Sequence, residues 1–210
     1  RIGTSFSGCF KGCVGIDFEV SKGLELGSRS QSQVGDGTPL SRASGRSNFM
    51  HFNLSSNYTY SFADDFILRL NGGGQYSLHD LVNSEQKGIT GSDKLSAFTS
   101  GAISGDEVWY ARGQLNRQYK LSNSLMVSPY VYGAGGVAYI NQPTATERVS
   151  TVAKSVGFGL EFRGNDEYFF DKSITAKIEL SKNWATSNLE DVSEVRLNKH
   201  HLLVNMAMRF

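Results

Sequence analysis

The chain has 210 residues, and 21 Lys+Arg against 20 Asp+Glu leave a formal charge of +1. That balance gives no field suited to nucleic acid, and no run of 18 apolar residues is present to cross a membrane as a helix. With 23 Gly, only 3 Pro, 13 Phe, 9 Tyr and 2 Trp, the composition suits an all-β chain with many turns. Neither an initiator Met nor a signal-peptide pattern stands at the start, so Arg1 reads as a mid-chain start.

In chain order, Cys9 and Cys13 come first, spaced C-x3-C among Gly8, Gly12 and Gly15. In an oxidising compartment such a pair suggests a small-loop disulfide, with free thiols as the alternative; two ligands alone make no structural zinc site. Period-two alternation then recurs along the chain. Ile16, Phe18 and Val20 oppose Asp17, Glu19 and Ser21. Met50, Phe52, Leu54, Tyr58, Tyr60 and Phe62 oppose His51, Asn53, Ser55, Asn57, Thr59 and Ser61. Phe66, Leu68, Leu70 and Tyr76 oppose Arg69, Asn71, Gln75 and Ser77. Trp109, Ala111, Leu115, Tyr119 and Leu121 oppose Arg112, Gln114, Asn116, Gln118 and Lys120, with Arg117 breaking the apolar side.

The stretch Met126–Ile140 is strand-like with mixed faces. Val156, Phe158, Leu160 and Phe162 alternate next, followed by Ile174, Ala176, Ile178 and Leu180. The last series is Leu202, Val204, Met206, Met208 and Phe210. About eight strands result.

A soluble sandwich alternates too, so the connections carry the distinction. Short links near Ala63–Asp65, Ser122–Ser124 and Gly164–Tyr168 take turns with long ones near Gly23–Gly45, Leu78–Asp106, Asn141–Ala153 and Ala185–Lys199. Short periplasmic turns and long outer loops are the pattern of bacterial outer-membrane barrels. Trp109 and Tyr119 share a face and stand about 23 Å apart along the membrane normal for strands tilted near 45°, close to the roughly 25 Å apolar band of such barrels. The expected fold is an all-β antiparallel transmembrane barrel in the outer membrane. Arg69, Arg112, Lys120, Glu161, Lys177 and Glu179 line its wet lumen, and Phe210 serves as a C-terminal assembly signal.

Signals for enzymatic chemistry are poor. His51 is a lone lumen-facing residue, and His79 with Asp80 sits at a strand end. His200 and His201 are adjacent on a strand and point to opposite faces, so they cannot share a metal. Gly72-Gly73-Gly74 lacks the Lys-Ser/Thr of a phosphate loop and reads as relief of crowding, where the strand bends or a loop passes. Ser104-Gly105-Asp106 has no partner His and reads as a turn. No catalytic residue, metal or cofactor is expected.

Several segments, in order, resemble the two-partner secretion transporters of Gram-negative outer membranes, the haemolysin and adhesin secretion-activation type of the barrel-assembly superfamily. Ser21-Lys22-Gly23-Leu24 with Leu26-Gly27 is similar to their "S-K/R-G-L … L-G", and Leu40-Ser41-Arg42 with Phe49 to "L-S-R … F". Gln75-Tyr76-Ser77, Leu81 and Ser84-Glu85-Gln86 resemble "G-Q-Y-S … L-x-S-S-E-Q". Ile103-Ser104-Gly105-Asp106 resembles "L-S-G-D".

The resemblance implies that residues 78–106 fold into the pore, with Leu95, Ser96, Ala97 and Phe98 at the loop tip and Ser104, Gly105 and Asp106 at its exit. It also implies that Gly133 and Gly135 form the wall contact. Two positions depart from the pattern. Ser96 and Ala97 replace the Arg and Gly of the "V-R-G-Y/F" tetrad, and Gly133 replaces the Asp of "F-x-D-x-G". Losing one partner of a buried ion pair costs about 3–5 kcal/mol, whereas losing both can be nearly neutral. The loop is therefore expected to be held differently.

The function implied is a pore exporting an unfolded partner exoprotein, with outer-membrane lipid and the barrel-assembly machinery as further partners. The chain would be the C-terminal half of a sixteen-stranded barrel preceded by POTRA domains. An assembly or insertion factor of the same superfamily, and a small eight-stranded structural or adhesive barrel, are the other readings.

Overall fold

The computed structural model describes residues 1–24, 33–34, 38–39, 45, 48–63, 65–122, 124–143, 148–166, 172–189 and 195–209. Nine long strands follow one another: β1 (Ile2–Cys9), β2 (Cys13–Lys22), β3 (Met50–Phe62), β4 (Phe66–Ser77), β5 (Glu107–Arg117), β6 (Leu125–Tyr139), β7 (Arg148–Asp166), β8 (Lys172–Leu189) and β9 (Val195–Arg209). Each pairs antiparallel with the next, forming one meandering sheet in sequence order, and Tyr119–Lys120 adds a short pairing to β6. β1 and β9 are not joined, so the described sheet is open.

The sequence pattern predicts eight strands, and β1 is the additional one. Only Ile2 and Phe6 are large apolar residues in it, while Gly3, Ser5, Ser7 and Gly8 blur its alternation. Its pairing with β2 ends at Cys9 opposite Cys13, where a disulfide with a Cα–Cα distance of 4.1 Å closes the hairpin. Strands also reach beyond the alternating segments: β7 begins at Arg148 and β8 runs to Leu189, shortening two of the expected long loops. Strand ends that stand clear of the lipid band need no apolar face, so periodicity does not mark them.

The two faces of the sheet invert the soluble pattern. Trp109, Phe158 and Val204 are 48%, 60% and 67% exposed, whereas His51, Arg112, Asn116 and Glu179 are all at most 3% exposed. A sandwich packs its apolar faces together. Here they point outward and the polar faces inward, as in a wall bathed in lipid. At the short-turn end, Tyr58, Tyr60, Phe62 and Phe66 stack in succession with ring centroids 6.4, 5.8 and 5.7 Å apart. Arg117, the residue that breaks the alternation, lies over the rings of Phe66 and Tyr119. Gly74 lies under the Trp109 ring on the outer face, so the crowding there comes from a tryptophan rather than from the loop.

On the inner face, the long loop 78–106 lies against β5 to β8. Ile89, Leu95 and Ile103 of the loop pack with Val108, Ala138, Ala153 and Ala185 of the wall, and Phe98 and Tyr110 border the cluster. The wall has a row of small residues at this point, Gly136, Ala153 and Ala185 being cross-strand partners. A Cβ on Gly136 would stand 2.8 Å from the Trp109 carbonyl and 3.1 Å from Ile89. The absence of side-chain bulk along this row makes the recess into which the loop settles.

Candidate functional site

Loop 78–106 is anchored at its base and at its tip. Lys87–Gly88 pair with Ser104–Gly105 to form its stem, and Gly91, at φ +138°, makes a turn that L side chains rarely adopt. The Leu95 amide then donates to the Ile89 carbonyl at 3.3 Å, folding the tip back on the stem.

At the base, Asp106 is wholly buried. Its Oδ1 accepts from the Leu81 amide at 3.1 Å and from Gln86 Nε2 at 3.2 Å, and its Oδ2 from the Asn141 amide at 2.8 Å. The Asp106 amide donates to the Tyr139 carbonyl at 2.9 Å. One carboxylate thus ties both ends of the loop to the far end of β6. Gly105 is required beside it, because a Cβ there would lie 2.5 Å from the Tyr139 oxygen. Ser104-Gly105-Asp106 is therefore the point where the loop rejoins the wall.

The tip meets the wall at Ser96, 2% exposed. Its hydroxyl donates to Glu179 Oε1 at 2.5 Å and accepts from Arg112 Nη1 at 2.6 Å. Arg112 Nη2 reaches Glu179 Oε2 at 3.3 Å and Gln114 Oε1 at 2.9 Å, and Nη1 reaches the Lys94 carbonyl at 3.2 Å. The Tyr130 hydroxyl donates to Glu179 Oε2 at 2.8 Å, where Lys177 Nζ also stands at 3.1 Å. Asn183 Nδ2 donates to the Ala97 carbonyl at 2.6 Å. The guanidinium of Arg112 lies 3.7 Å from the Tyr132 ring centroid.

This arrangement depends on the register of four strands. Gly159 of β7 stands between Tyr130 of β6 and Glu179 of β8, and Gly157 stands beside Tyr132. A Cβ on Gly159 would meet the Tyr130 hydroxyl at 2.5 Å. With no side chain on Gly159, the Tyr130 ring lies flat across β7 and its hydroxyl reaches the next strand. Nearer the short-turn end, Glu161 bridges Arg69 at 3.1 Å and Arg163 at 2.6 Å.

Burial lowers the pKa of Lys94, partly opposed by Asp93. Its Nζ donates to the Gly88 carbonyl at 2.6 Å. Lys87 is lowered in the same way by burial and then by Lys94, with Glu19 opposing.

Sequence reasoning puts Leu95, Ser96, Ala97 and Phe98 at the tip, and the structure brings all four against the wall. It does not bring Gly133 and Gly135 there. Gly133 is exposed on the outer face, where a Cβ would meet nothing within 4 Å. Gly135 shares its parity, with the backbone of Ala153 and the side chain of Lys154 as nearest neighbours at 3.8 and 3.9 Å. The wall contacts are Arg112, Glu179 and Asn183 instead. The first two are legible as inward charges, but their meeting is not. Phe210 lies outside the described residues. His51 is buried with Nε2 3.3 Å from Glu85 Oε2, and His79 Nδ1 accepts from the Met50 amide at 3.2 Å.

An outward apolar wall, an inward polar face and a loop tied down on that face define an outer-membrane protein of the β-barrel type. Residues 4–177 match the haemolysin secretion/activation protein family ShlB/FhaC/HecB, and the chain belongs to it. It is an outer-membrane protein of two-partner secretion, with a transporter or activator role. Comparison with curated proteins gave no match, and comparison with solved structures gave none either.

Proposed function

We propose that this chain forms the wall and inner loop of a pore that passes one unfolded exoprotein, of haemolysin or adhesin type, across the outer membrane. The observation behind this reading is the attachment of the loop tip. Ser96 and the Ala97 carbonyl are neutral groups held by Arg112, Glu179 and Asn183 of the wall. When the tip leaves, Arg112 and Glu179 retain each other, and no buried charge is stranded. An extended polypeptide, rich in backbone donors and acceptors, can take over the contacts that Ser96 and Ala97 release. The unpaired edges of β1 and β9 would leave orphan backbone groups in lipid, so in this reading further strands of a larger barrel meet them.

The test is deletion of Leu95–Ile103 in the full-length transporter, read by single-channel conductance and by exoprotein secretion. Conductance should rise, and secretion should change with it. Unchanged values in both assays would sink the role given to the loop.

A further inference from the structure

The outer face of the wall carries a feature that export does not use. A groove of about 510 Å³ runs across the lipid-facing side from β4 to β8. Its lower margin is the cross-strand row that Arg117 begins, continuing through Pro129 to Leu160 and Ile178. Its upper margin is the next row, Leu115, Val131, Phe158 and Leu180, which are direct partners. Pro129 contributes a compact ring among longer side chains.

The groove is inclined to the strand ends. Arg117 stands opposite Phe66, the first residue of β4, whereas Ile178 lies well inside β8, which begins at Lys172. From Arg117 the groove therefore leads away from the short-turn rim into the apolar band. It spans three strand spacings, about 14 Å measured across the strands, which is a climb of about 10 Å along the membrane normal for strands tilted near 45° and stays within one leaflet of a hydrocarbon core about 30 Å thick. At its mouth, the Arg117 guanidinium lies 5.2 Å from the Phe66 ring centroid and 5.0 Å from that of Tyr119. Among the described residues no carboxylate pairs with it. Stacking between rings holds the planar fork while leaving N–H donors on its edge for an oxyanion.

We propose that this groove is a site for one glycerophospholipid of the periplasmic leaflet, its phosphate on Arg117 and an acyl chain in the groove. Charge complementarity sets the headgroup, and the climb of the groove sets the direction of the chain. The position of Arg117 beside the short turns, which face the periplasm, selects the inner-leaflet phospholipid over lipid A of the outer leaflet.

The experiment is native mass spectrometry of the full-length transporter, released in mild detergent and offered dipalmitoyl phosphatidylglycerol. The wild type should retain one lipid under activation that strips the remainder. Arg117→Gln should lower that retention about tenfold, equivalent to one charge-assisted contact. Val131→Trp, which fills the groove and leaves Arg117 in place, should lower it as well, and it keeps the test decisive if Arg117→Gln does not fold. Both variants are first checked for the heat-modifiable migration of a folded barrel. Equal retention by wild type and variants overturns the site, as does displacement of phosphatidylglycerol by equimolar lipid A.

Discussion

Ser96 and Glu179, 83 residues apart in sequence, share a buried hydrogen bond of 2.5 Å between the loop tip and the wall. The loop supplies a hydroxyl and the wall supplies the charges. Replacing Ser96 by Ala removes this bond and the one from Arg112, yet leaves Arg112 and Glu179 facing each other. Net hydrogen bonds contribute about 1 kcal/mol each, so the open probability of the channel should rise roughly five- to thirtyfold. Single-channel recording of Ser96→Ala measures this directly, and an unchanged open probability would remove the latch from the account.

Glu179→Gln should behave differently from Ser96→Ala. It leaves Arg112 and Lys177 buried together without their shared carboxylate, and breaking a buried pair costs about 3–5 kcal/mol. The temperature at which the folded barrel loses its heat-modifiable migration should fall markedly. Arg112→Met combined with Glu179→Met should recover part of that loss. A double variant worse than the sum of the singles would contradict the pairing.

Gly159 and Gly133 provide a matched comparison on neighbouring strands. At Gly159, Ala places a Cβ against the Tyr130 hydroxyl and the Ile178 carbonyl, and overpacking of this kind costs about 1–3 kcal/mol. At Gly133, Ala enters open space on the outer face and should change stability by less than about 0.5 kcal/mol. Thermal denaturation of the two variants decides between the wall contact seen here and the one expected from the motif alone.

The docked loop should also respond to alkaline pH. Burial holds Lys94 below its ordinary 10.5, while a loop released into water restores that value. Between the two values the docked state binds fewer protons, so docking gains as pH rises through that window and is weakest below it. Lys87 acts in the same direction. Open probability should fall as pH is raised toward the ordinary lysine range, and Lys94→Met should flatten the dependence.

Much of the wall is legible because most lipid-facing residues are apolar. Met50–Phe62 shows this with one break at Ser56, and Phe66–Ser77 with one at the inward Ile67. β1 escaped because its inward positions are Gly3, Ser5 and Ser7 and its outward series has only two large apolar members. Residue order shows nothing of the partners that Ser96 and Ala97 meet on the wall. In β6 the inward residues include Tyr130 and Tyr132 and the outward ones Gly133 and Gly135, so hydrophobicity does not separate the faces. Parity would have placed Gly133 with Val131 on the outside. Only the register of β5 through β8 brings Arg112 to Glu179, and register is set by long-range pairing and turn geometry.

The meander has a consequence for assembly order. Every strand pairs with its sequence neighbour, so the wall can grow hairpin by hairpin through local contacts, which form fastest. Loop 78–106 is made early in the chain, between β4 and β5, yet two of its tip contacts wait for Glu179 and Asn183 in β8. Until that strand arrives the loop has its base knot at Asp106 but no complete seat for its tip. Docking of the tip therefore reports that the wall has been completed as far as β8.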